Sequence, residues 1–369
     1  MMQLSICYVL AYKAPDYIRT QSILHALCQI PGVKLYLAIN QSAGPIRYLE
    51  VMRKVYEIHR HHKPDVYLLG FRGYELYWPL CWLVDNKPII LDALMSPYDA
   101  LCSERKSGLL GSIVAPLWRP IENSILHDAQ LVLTDTSLHM QYFAQKFSLP
   151  LSKLLALPVG AVEKTACGPY KVPPYGVEMS VLFYGSFLPL HGVDVILQAA
   201  RMLGDLPLRF DFIGGGHVDE IMLDRNFPRN TRVTYTYRPW VPFDELINHV
   251  IPQADLCLGG PFGDTNQARR VVTGKTSQCL ALGKPTVVGI IDEDYGFVDK
   301  QNCLLVAQGN PEKLADAVRW AWNNRDMLGQ IGANGKLVYE QHLSLREIKR
   351  ILVEALRKFV DGQVIGRHQ

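Results

Sequence analysis

The chain has 369 residues, a formal net charge of +3 and a hydrophobic fraction of 49%. This length exceeds the usual size of one domain and predicts two, and the composition excludes a disordered chain. The small net charge shows no basic footprint for DNA or RNA, so we expect no nucleic acid partner.

The cysteines and the lengths of the apolar runs indicate in which cellular compartment the protein is expected. The eight cysteines are scattered without metal-type spacing and predict the reduced thiols of a cytoplasmic protein. No apolar run approaches the ~18 to 20 residues that a bilayer span needs, and the N-terminus lacks the pattern of a signal peptide. The sequence therefore predicts a soluble or peripheral protein.

The first half of the chain alternates strand and helix patterns. Leu4–Leu10 is a short apolar run typical of a buried strand, and a helical pattern follows over Ile18–Gln29. Strand patterns alternating with helical ones predict a parallel sheet. The later strand-like runs are Val33–Ile39, Val66–Gly70, Ile89–Leu91 and Leu131–Leu133.

The pattern stops near Pro158 and starts again after Val177. Residues 165–177 are rich in Gly, Pro, Tyr and Lys without periodicity, which predicts a linker between a domain at 1–164 and a domain at 178–344. An amphipathic helix, Leu345–Val360, ends the pattern. The second series comprises strands Val181–Tyr184, Phe210–Ile213 and Val233–Tyr235, and helices Val193–Leu203 and Phe243–Ile251.

The stretch from Ala254 to Gly289 is the first candidate site. A strand at Leu256–Leu258 leads through a Gly/Pro/Asp loop to a helix at Thr276–Leu282 and a strand at Thr286–Val288. Ligands collect at the carboxyl ends of parallel strands, where helix N-termini attract anions. The stretch predicts either a phosphate site or an ordinary strand-loop-helix-strand unit.

The order and spacing of several short pieces carry a family resemblance. In the second half they are Leu182–Phe187, Leu190–Asp194, Phe212–Gly216, Trp240–Pro242, Phe262–Gly263 and Ala281–Val288; in the first half they are Glu122, Asp128–Leu133 and Pro158–Ala161. Together they resemble the retaining glycosyltransferases of family 4. The resemblance implies an α/β protein of the GT-B fold, with two Rossmann-like domains whose parallel sheets face a central cleft, and a final helix, 345–369, that crosses back to the first domain.

The resemblance also implies a reaction. A sugar would pass with retention from a nucleotide-sugar donor in the second domain to a hydroxyl of a sugar or lipid-linked acceptor in the first, in glycan, glycolipid or polysaccharide biosynthesis. The enzyme would need no metal ion or other cofactor. Two alternatives stay open, a nucleotide-sugar-binding module that has lost catalysis and a GT-B sugar-nucleotide epimerase.

Several residues would bind the donor. The backbone at Gly185 and Ser186 would approach the diphosphate, Gly214 and Gly215 would leave room for base and phosphates, and backbone atoms at Trp240 and Val241 would meet the base. A tight turn at Gly185 and a core position for Trp240 are the structural alternatives. Phe262 and Gly263 match a further donor-binding piece.

The chain departs from the family pattern in its charges. The Arg after the first turn is missing, and His191 stands where a Lys would follow. His191 could supply positive charge when protonated, and capping of the turn is the alternative. The family's two Glu residues are replaced by Gly260 and Gln278, of which Gln278 could still bind ribose. We expect Lys275, with Arg269 or Arg270, to supply the lost positive charge, and a solvated cation at a helix start is the alternative for Lys275. Asp264 and Thr265 would contact the sugar.

The acceptor side is less well marked. The loop Ala11–Arg19 lacks the glycines common in the family, and Asp92 ends a strand where it could orient the acceptor hydroxyl or take its proton. Capping of the next segment is the alternative for Asp92. Lys106–Leu126 mixes cations with apolar residues, which predicts either a helix packed internally or peripheral contact with the inner face of a membrane.

Overall fold

The protein is described here by a computed structural model that covers residues 3–85, 87–102, 108–163, 172 and 177–360. It divides into two compact units. The first contains the described residues up to Val159 and those from Leu345 onward, and the second is Gly160–Ser344. Most of the predicted linker 165–177, and residues 106–107 of the segment Lys106–Leu126 with predicted membrane contact, lie outside the described residues.

The first unit is built on a six-stranded parallel sheet in the order β2-β1-β3-β4-β5-β6. The strands are β1 (Leu4–Leu10), β2 (Val33–Ile39), β3 (Val66–Leu69), β4 (Ile89–Asp92), β5 (Leu131–Thr134) and β6 (Leu154–Ala156). The helices are α1 (Ile18–Cys28), α2 (Ile46–His62), α3 (Tyr77–Leu83), α4 (Pro97–Cys102), α5 (Gly108–Asp128) and α6 (Ser137–Phe147).

The second unit repeats this plan with the strand order β12-β11-β10-β7-β8-β9. Its strands are β7 (Met179–Tyr184), β8 (Leu208–Ile213), β9 (Thr234–Arg238), β10 (Leu256–Gly260), β11 (Thr286–Gly289) and β12 (Leu304–Val306). Its helices are α7 (Val193–Met202), α8 (His217–Asn226), α9 (Phe243–Glu245), α10 (Ile251–Gln253), α11 (Gly274–Ala281), α12 (Pro311–Asn323) and α13 (Arg325–His342).

The strand period explains why the first sheet is buried on both faces. Along β1, Ile6 and Tyr8 enter one apolar cluster whereas Cys7 and Val9 enter the other, as side chains that alternate across a strand must. The last helix, α14 (Leu345–Val360), adds Ile348, Leu352, Leu356 and Phe359 to the first of these clusters. Its apolar positions recur every three or four residues, which directs one helix face to the sheet.

Two predicted helices differ in detail from the observed ones. The predicted helix Phe243–Ile251 is split into α9, a π-helical segment at Leu246–Val250 and α10. Pro252 in α10 lacks an N–H, and its ring would clash with a carbonyl one α-turn back, so a wider turn is favoured there. No helix in the described ranges is long and apolar enough to cross a membrane.

Candidate functional site

Two glycine turns meet at the carboxyl edge of the second sheet. Gly185 follows β7 with φ +126°, and Gly214 follows β8 with φ +110°. The Gly185 N–H donates to Ile213 O at 2.8 Å, and the Gly214 N–H donates to Arg238 O at 2.9 Å. A Cβ on Gly214 would lie 2.3 Å from Gly185 O. Backbone therefore packs on backbone here, and only glycine fits.

Helix α11 begins beside these turns because threonines anchor its first turn to β10. The Thr273 hydroxyl accepts from Thr276 N at 3.2 Å and donates to Gly259 O at 2.8 Å, and the Thr276 hydroxyl donates to Gly260 O at 3.1 Å. Lys275 lies between the two threonines. The cap thus fixes where the Lys275 side chain leaves the helix.

The Lys275 side chain extends to Gly185. A Cβ built on Gly185 would lie 3.6 Å from Lys275 Nζ, and Nζ is 5.3 Å from the centroid of the Phe183 ring. Lys275 is 7% exposed, and burial lowers its pKa to about 7. No carboxylate in the described part of the chain lies within ion-pair distance of Nζ. An anion at Gly185 would supply the missing counter-charge.

His191 approaches the same place from a 3₁₀ turn, Pro189–His191. Its Nδ1–H donates to Ser186 O, and its Cε1 lies 3.9 Å from the Cβ position on Gly185. The Gly263 N–H donates to Leu190 O at 3.1 Å, so the loop after β10 packs on this turn. The fold thus brings Gly185, Ser186, His191, Gly263 and Lys275 together.

Phe262 and the exposed loop that follows it contribute less than expected. The Phe262 side chain is 1% exposed and belongs to the core. Asp264 pairs with Arg269 at 2.6 Å, and the Arg270 Nε–H donates to Asn266 O at 2.9 Å. The Thr265 hydroxyl accepts from Ala268 N at 3.0 Å. These contacts stabilise the loop itself rather than a cation cluster around Lys275.

Gln278 does not face a ligand, contrary to the ribose-binding prediction. It is 2% exposed, its Oε1 accepts from Val162 N at 3.0 Å, and its Nε2 donates to Val162 O at 3.2 Å. Both ends of the amide are therefore occupied by one backbone residue. This pairing also explains why an amide, which can both donate and accept, suits the position better than an ionised carboxylate, which can only accept.

The residues predicted to lie near the nucleotide base differ in their exposure. Trp240, two residues beyond β9, is 73% exposed, which contradicts the alternative of a core position. Val241 is 8% exposed and packs with Leu182 and Ile213. Gly215 has φ +79° next to Gly214. Trp240 therefore has side-chain surface to offer a ligand at this end of the edge, as does Arg238, whose side chain is 44% exposed.

In the first unit, Asp92 does not have the role predicted for it. Both Asp92 and Arg19 are fully buried, and Arg19 Nη2 lies 2.9 Å from Asp92 Oδ1. Arg19 also donates to the carbonyls of Thr134, Leu157 and Pro158. The pair ties the ends of β4, β5 and β6 to α1. A carboxylate so enclosed is not presented to an acceptor hydroxyl.

Sequence reasoning missed the carboxylate one strand away. Asp135 follows β5 directly, and its Oδ1 accepts from His139 Nδ1 at 2.6 Å. His139 lies in the first turn of α6, whose Thr136 cap accepts from His139 N at 3.0 Å. The signal was present, because an acid at a strand end just before a Thr cap can reach a His in the first turn of the helix that follows.

Comparison with known proteins yields structural relatives only. No protein-family model and no curated protein matches the sequence. Among solved structures, HepE from Anabaena bound to UDP-glucose has a TM-score of 0.66 at 15% identity, covering 96% of this chain and 100% of its own. Sucrose-phosphate synthase from Thermosynechococcus elongatus has 0.68 at 15%, covering 98% and 100%.

A third relative extends this comparison. The lipopolysaccharide outer core galactosyltransferase WaaB has a TM-score of 0.59 at 11% identity, covering 97% of this chain and 99% of its own. At such low identity the likeness shows the fold alone. Together with two six-stranded parallel sheets, it shows that the chain has the α/β architecture of the GT-B glycosyltransferases.

Proposed function

We propose that this chain is a glycosyltransferase that transfers a sugar from a nucleotide-sugar donor to an acceptor hydroxyl. One observation carries the proposal, namely the buried ammonium of Lys275 beside Gly185, without a carboxylate partner among the described residues. It lies at the carboxyl edge of a parallel sheet, where nucleotides bind. The diphosphate of a donor would supply the counter-charge.

This arrangement suits departure of a nucleoside diphosphate. Negative charge grows on the leaving phosphate as the glycosidic bond breaks, and a preorganised cation stabilises it in a site with little water. Lys275 would supply this charge together with the backbone N–H groups near Ser186 and, when protonated, His191. We therefore propose that transfer needs no metal ion.

We further propose transfer with retention, in line with the resemblance to family 4. In that mechanism an oxygen of the donor phosphate takes the acceptor proton, so no enzyme nucleophile is needed. UDP is the first nucleotide to test, because HepE was solved with UDP-glucose and with UDP and glucose. Trp240, exposed at the end of β9, would then stack on the base.

A non-catalytic donor-binding module is the second candidate. The family's two acidic residues are absent here, because Gly260 and Gln278 occupy their positions. The Gln278 amide is moreover bound to Val162. Both observations favour this candidate. This candidate predicts donor binding without turnover. The epimerase alternative lacks support, since that chemistry requires acid-base groups at the sugar and no carboxylate is paired with Lys275 in the described ranges.

The first experiment is calorimetric titration of the full chain with UDP, GDP, ADP and dTDP. We expect one nucleotide to bind and Lys275→Met to weaken it by about 10- to 100-fold, since a charge-assisted hydrogen bond contributes ~1.5 to 3 kcal/mol. Lys313→Met, at a 64% exposed side chain of the same unit, is the matched control. Absence of binding to all four nucleotides would refute the proposal.

Turnover is tested next with the matching nucleotide sugars. Slow hydrolysis of one donor to the nucleoside diphosphate and free sugar would support a transferase, because water can replace the acceptor. NMR identifies whether the α- or the β-anomer of the sugar is released first, and release of the donor's own anomer indicates retention. Binding with no hydrolysis and no transfer to any sugar acceptor would favour the non-catalytic module.

We also propose peripheral contact with a membrane through α5. Leu117 is 71% exposed and Ile121 is 43% exposed, with Arg119 between them. Such an apolar and cationic surface suits anionic lipid at the inner face of a membrane, where a lipid-linked acceptor would lie. Sedimentation with anionic vesicles should depend on Leu117 and not on Leu151, which is 56% exposed; equal loss in both Gln variants would argue against it.

A further inference from the structure

Three aromatic rings gather at the carboxyl edge of the first sheet. Tyr12 and Tyr17 lie in the loop after β1, and Phe71 follows β3. The rings of Tyr17 and Phe71 are stacked with centroids 5.3 Å apart, and Tyr12 meets Phe71 edge-on at 5.0 Å. Phe71 is 6% exposed whereas both tyrosines are half-buried. We call these three residues the aromatic wall.

Hydrogen bonds hold the wall in place. The buried Asn40 accepts from Tyr12 N at 2.9 Å and donates to Tyr12 O at 3.0 Å. Tyr17 N donates to Ala14 O at 3.1 Å, and Tyr17 directly precedes α1. Two half-buried rings therefore belong to a loop whose backbone is already held by hydrogen bonds, so a ligand that stacks on them would lose little affinity to ordering of the loop.

A hydrogen-bond acceptor lies beside the wall. Asp135 is 4% exposed, and its Oδ1 is bound to His139. Its other carboxylate oxygen has no bonded partner in the part of the chain that the structure describes. Arg19, two residues after Tyr17, donates to the carbonyl of Thr134 at 3.2 Å, and Thr134 directly precedes Asp135. The start of α1 therefore brings Tyr17 close to this carboxylate.

An apolar aromatic face next to an open carboxylate oxygen matches a sugar ring. A pyranose offers a C–H face that packs on aromatic rings and a rim of hydroxyls that donate to carboxylates. We propose that the aromatic wall and Asp135 form the acceptor site, in which the sugar stacks on Tyr17 and a ring hydroxyl donates to the second carboxylate oxygen of Asp135. The choice of a sugar acceptor rests on the proposed function.

In this site His139 is a positioning residue rather than a catalytic one. Its Nδ1–H holds one oxygen of Asp135 and turns the other away from the imidazole. The loop Ala11–Arg19 has tyrosines in place of the glycines common in the family, and in this site the tyrosines would bind the acceptor. The carboxylate at this edge that serves the acceptor would be Asp135 and not Asp92.

The test is saturation-transfer NMR of the full chain with methyl glycosides of glucose, galactose and N-acetylglucosamine at millimolar concentration. We expect transfer to the ring C–H protons of at least one glycoside. Tyr17→Ala and Asp135→Asn should reduce the signal at least several-fold. Tyr17→Phe should preserve it because the ring remains, and Tyr56→Ala, at a 50% exposed side chain of α2, is the matched control.

Further variants separate positioning from folding. His139→Asn keeps an amide N–H that can donate to Asp135 and should retain binding, whereas His139→Leu should not. An unchanged thermal unfolding profile of the full chain, measured on the same samples, shows that each variant is folded.

The outcomes distinguish this inference from the proposed function. UDP binding without glycoside contact, or with a signal that Tyr17→Ala and Asp135→Asn leave unchanged, would overturn the acceptor site and leave the donor site standing. Failure of UDP binding would refute the proposed function, while a glycoside signal that still depends on Tyr17 would support the sugar site alone.

Discussion

The ammonium of Lys275 lies 5.3 Å from the centroid of the Phe183 ring, in a position where a carboxylate would usually be expected for a buried cation. An aromatic face attracts a cation but leaves its charge uncancelled. Because burial lowers the pKa of Lys275 to about 7, the side chain can gain or lose its proton near neutral pH. The candidate donor site is therefore sensitive to pH.

We expect nucleoside diphosphate affinity to fall as the pH rises above about 7. The anion binds the protonated amine, so the affinity should drop by up to about tenfold per pH unit once the free Lys275 is neutral. Lys275→Arg, which stays protonated, should show a flat profile through this range. Calorimetry between pH 6 and 9 measures both. A flat profile for the unmodified chain would contradict the prediction.

The same pKa shift makes the stability of the fold rise with pH, whereas nucleotide affinity is expected to fall. In the unfolded chain a lysine has a pKa of ~10.4, so between about pH 7 and 10 the unfolded state holds more protons than the folded one. The free energy of unfolding contributed by Lys275 therefore rises with pH across this window. Lys275→Met should be more stable than the unmodified chain at pH 6, and its advantage should shrink towards pH 10 in denaturant titrations.

Gly214→Ala should damage the donor site. Its Cβ would lie 2.3 Å from Gly185 O, and φ of +110° disfavours any L side chain, which costs ~1 to 3 kcal/mol even without the clash. We expect a lower Tm and weaker nucleotide binding. Gly216→Ala is the control, because its φ is −146° and its Cβ would meet nothing closer than 3.9 Å. Equal behaviour of the two variants would show that the glycine contact is unimportant.

Gln278→Glu should destabilise the protein, although the sequence resemblance alone would favour Glu at this position. The substitution removes the donor to Val162 O and places a carboxylate against that carbonyl, at a cost of ~1 to 3 kcal/mol for an unsatisfied buried group. Thermal unfolding measures the effect, with Gln308→Glu, at a partly exposed side chain, as a comparison. A rise in nucleotide affinity together with unchanged stability would show that position 278 faces the ligand.

Arg19→Met should unfold the first unit more readily. It leaves the Asp92 carboxylate buried without its partner, which costs ~3 to 5 kcal/mol. Arg19→Met with Asp92→Leu should recover part of the loss, because no buried charge remains. Denaturant titration of both variants measures this. If Asp92→Leu lowered the stability of the Arg19→Met variant as much as it lowers that of the unmodified chain, the two residues would not be coupled.

Local pattern in the sequence determined the elements and the place of the candidate donor site. Alternating apolar runs predicted β1 and β2 with the observed bounds, Leu4–Leu10 and Val33–Ile39, because side-chain period and burial are properties of neighbouring residues. The glycine at the end of β7 and the lysine at the start of α11 were likewise predicted, since turn and helix-start signals are local.

Only the tertiary structure decided which polar groups remain open to a ligand. Asp92 pairs with Arg19, 73 residues away, and Gln278 pairs with Val162, 116 residues away. No local period encodes such partners, because they meet only when strands distant in sequence become neighbours in a sheet. The same packing leaves Lys275 without a carboxylate among the described residues and places it beside Gly185. A residue's type and its place at a strand end predict what it could bind, but its neighbours in space determine whether that capacity is already used.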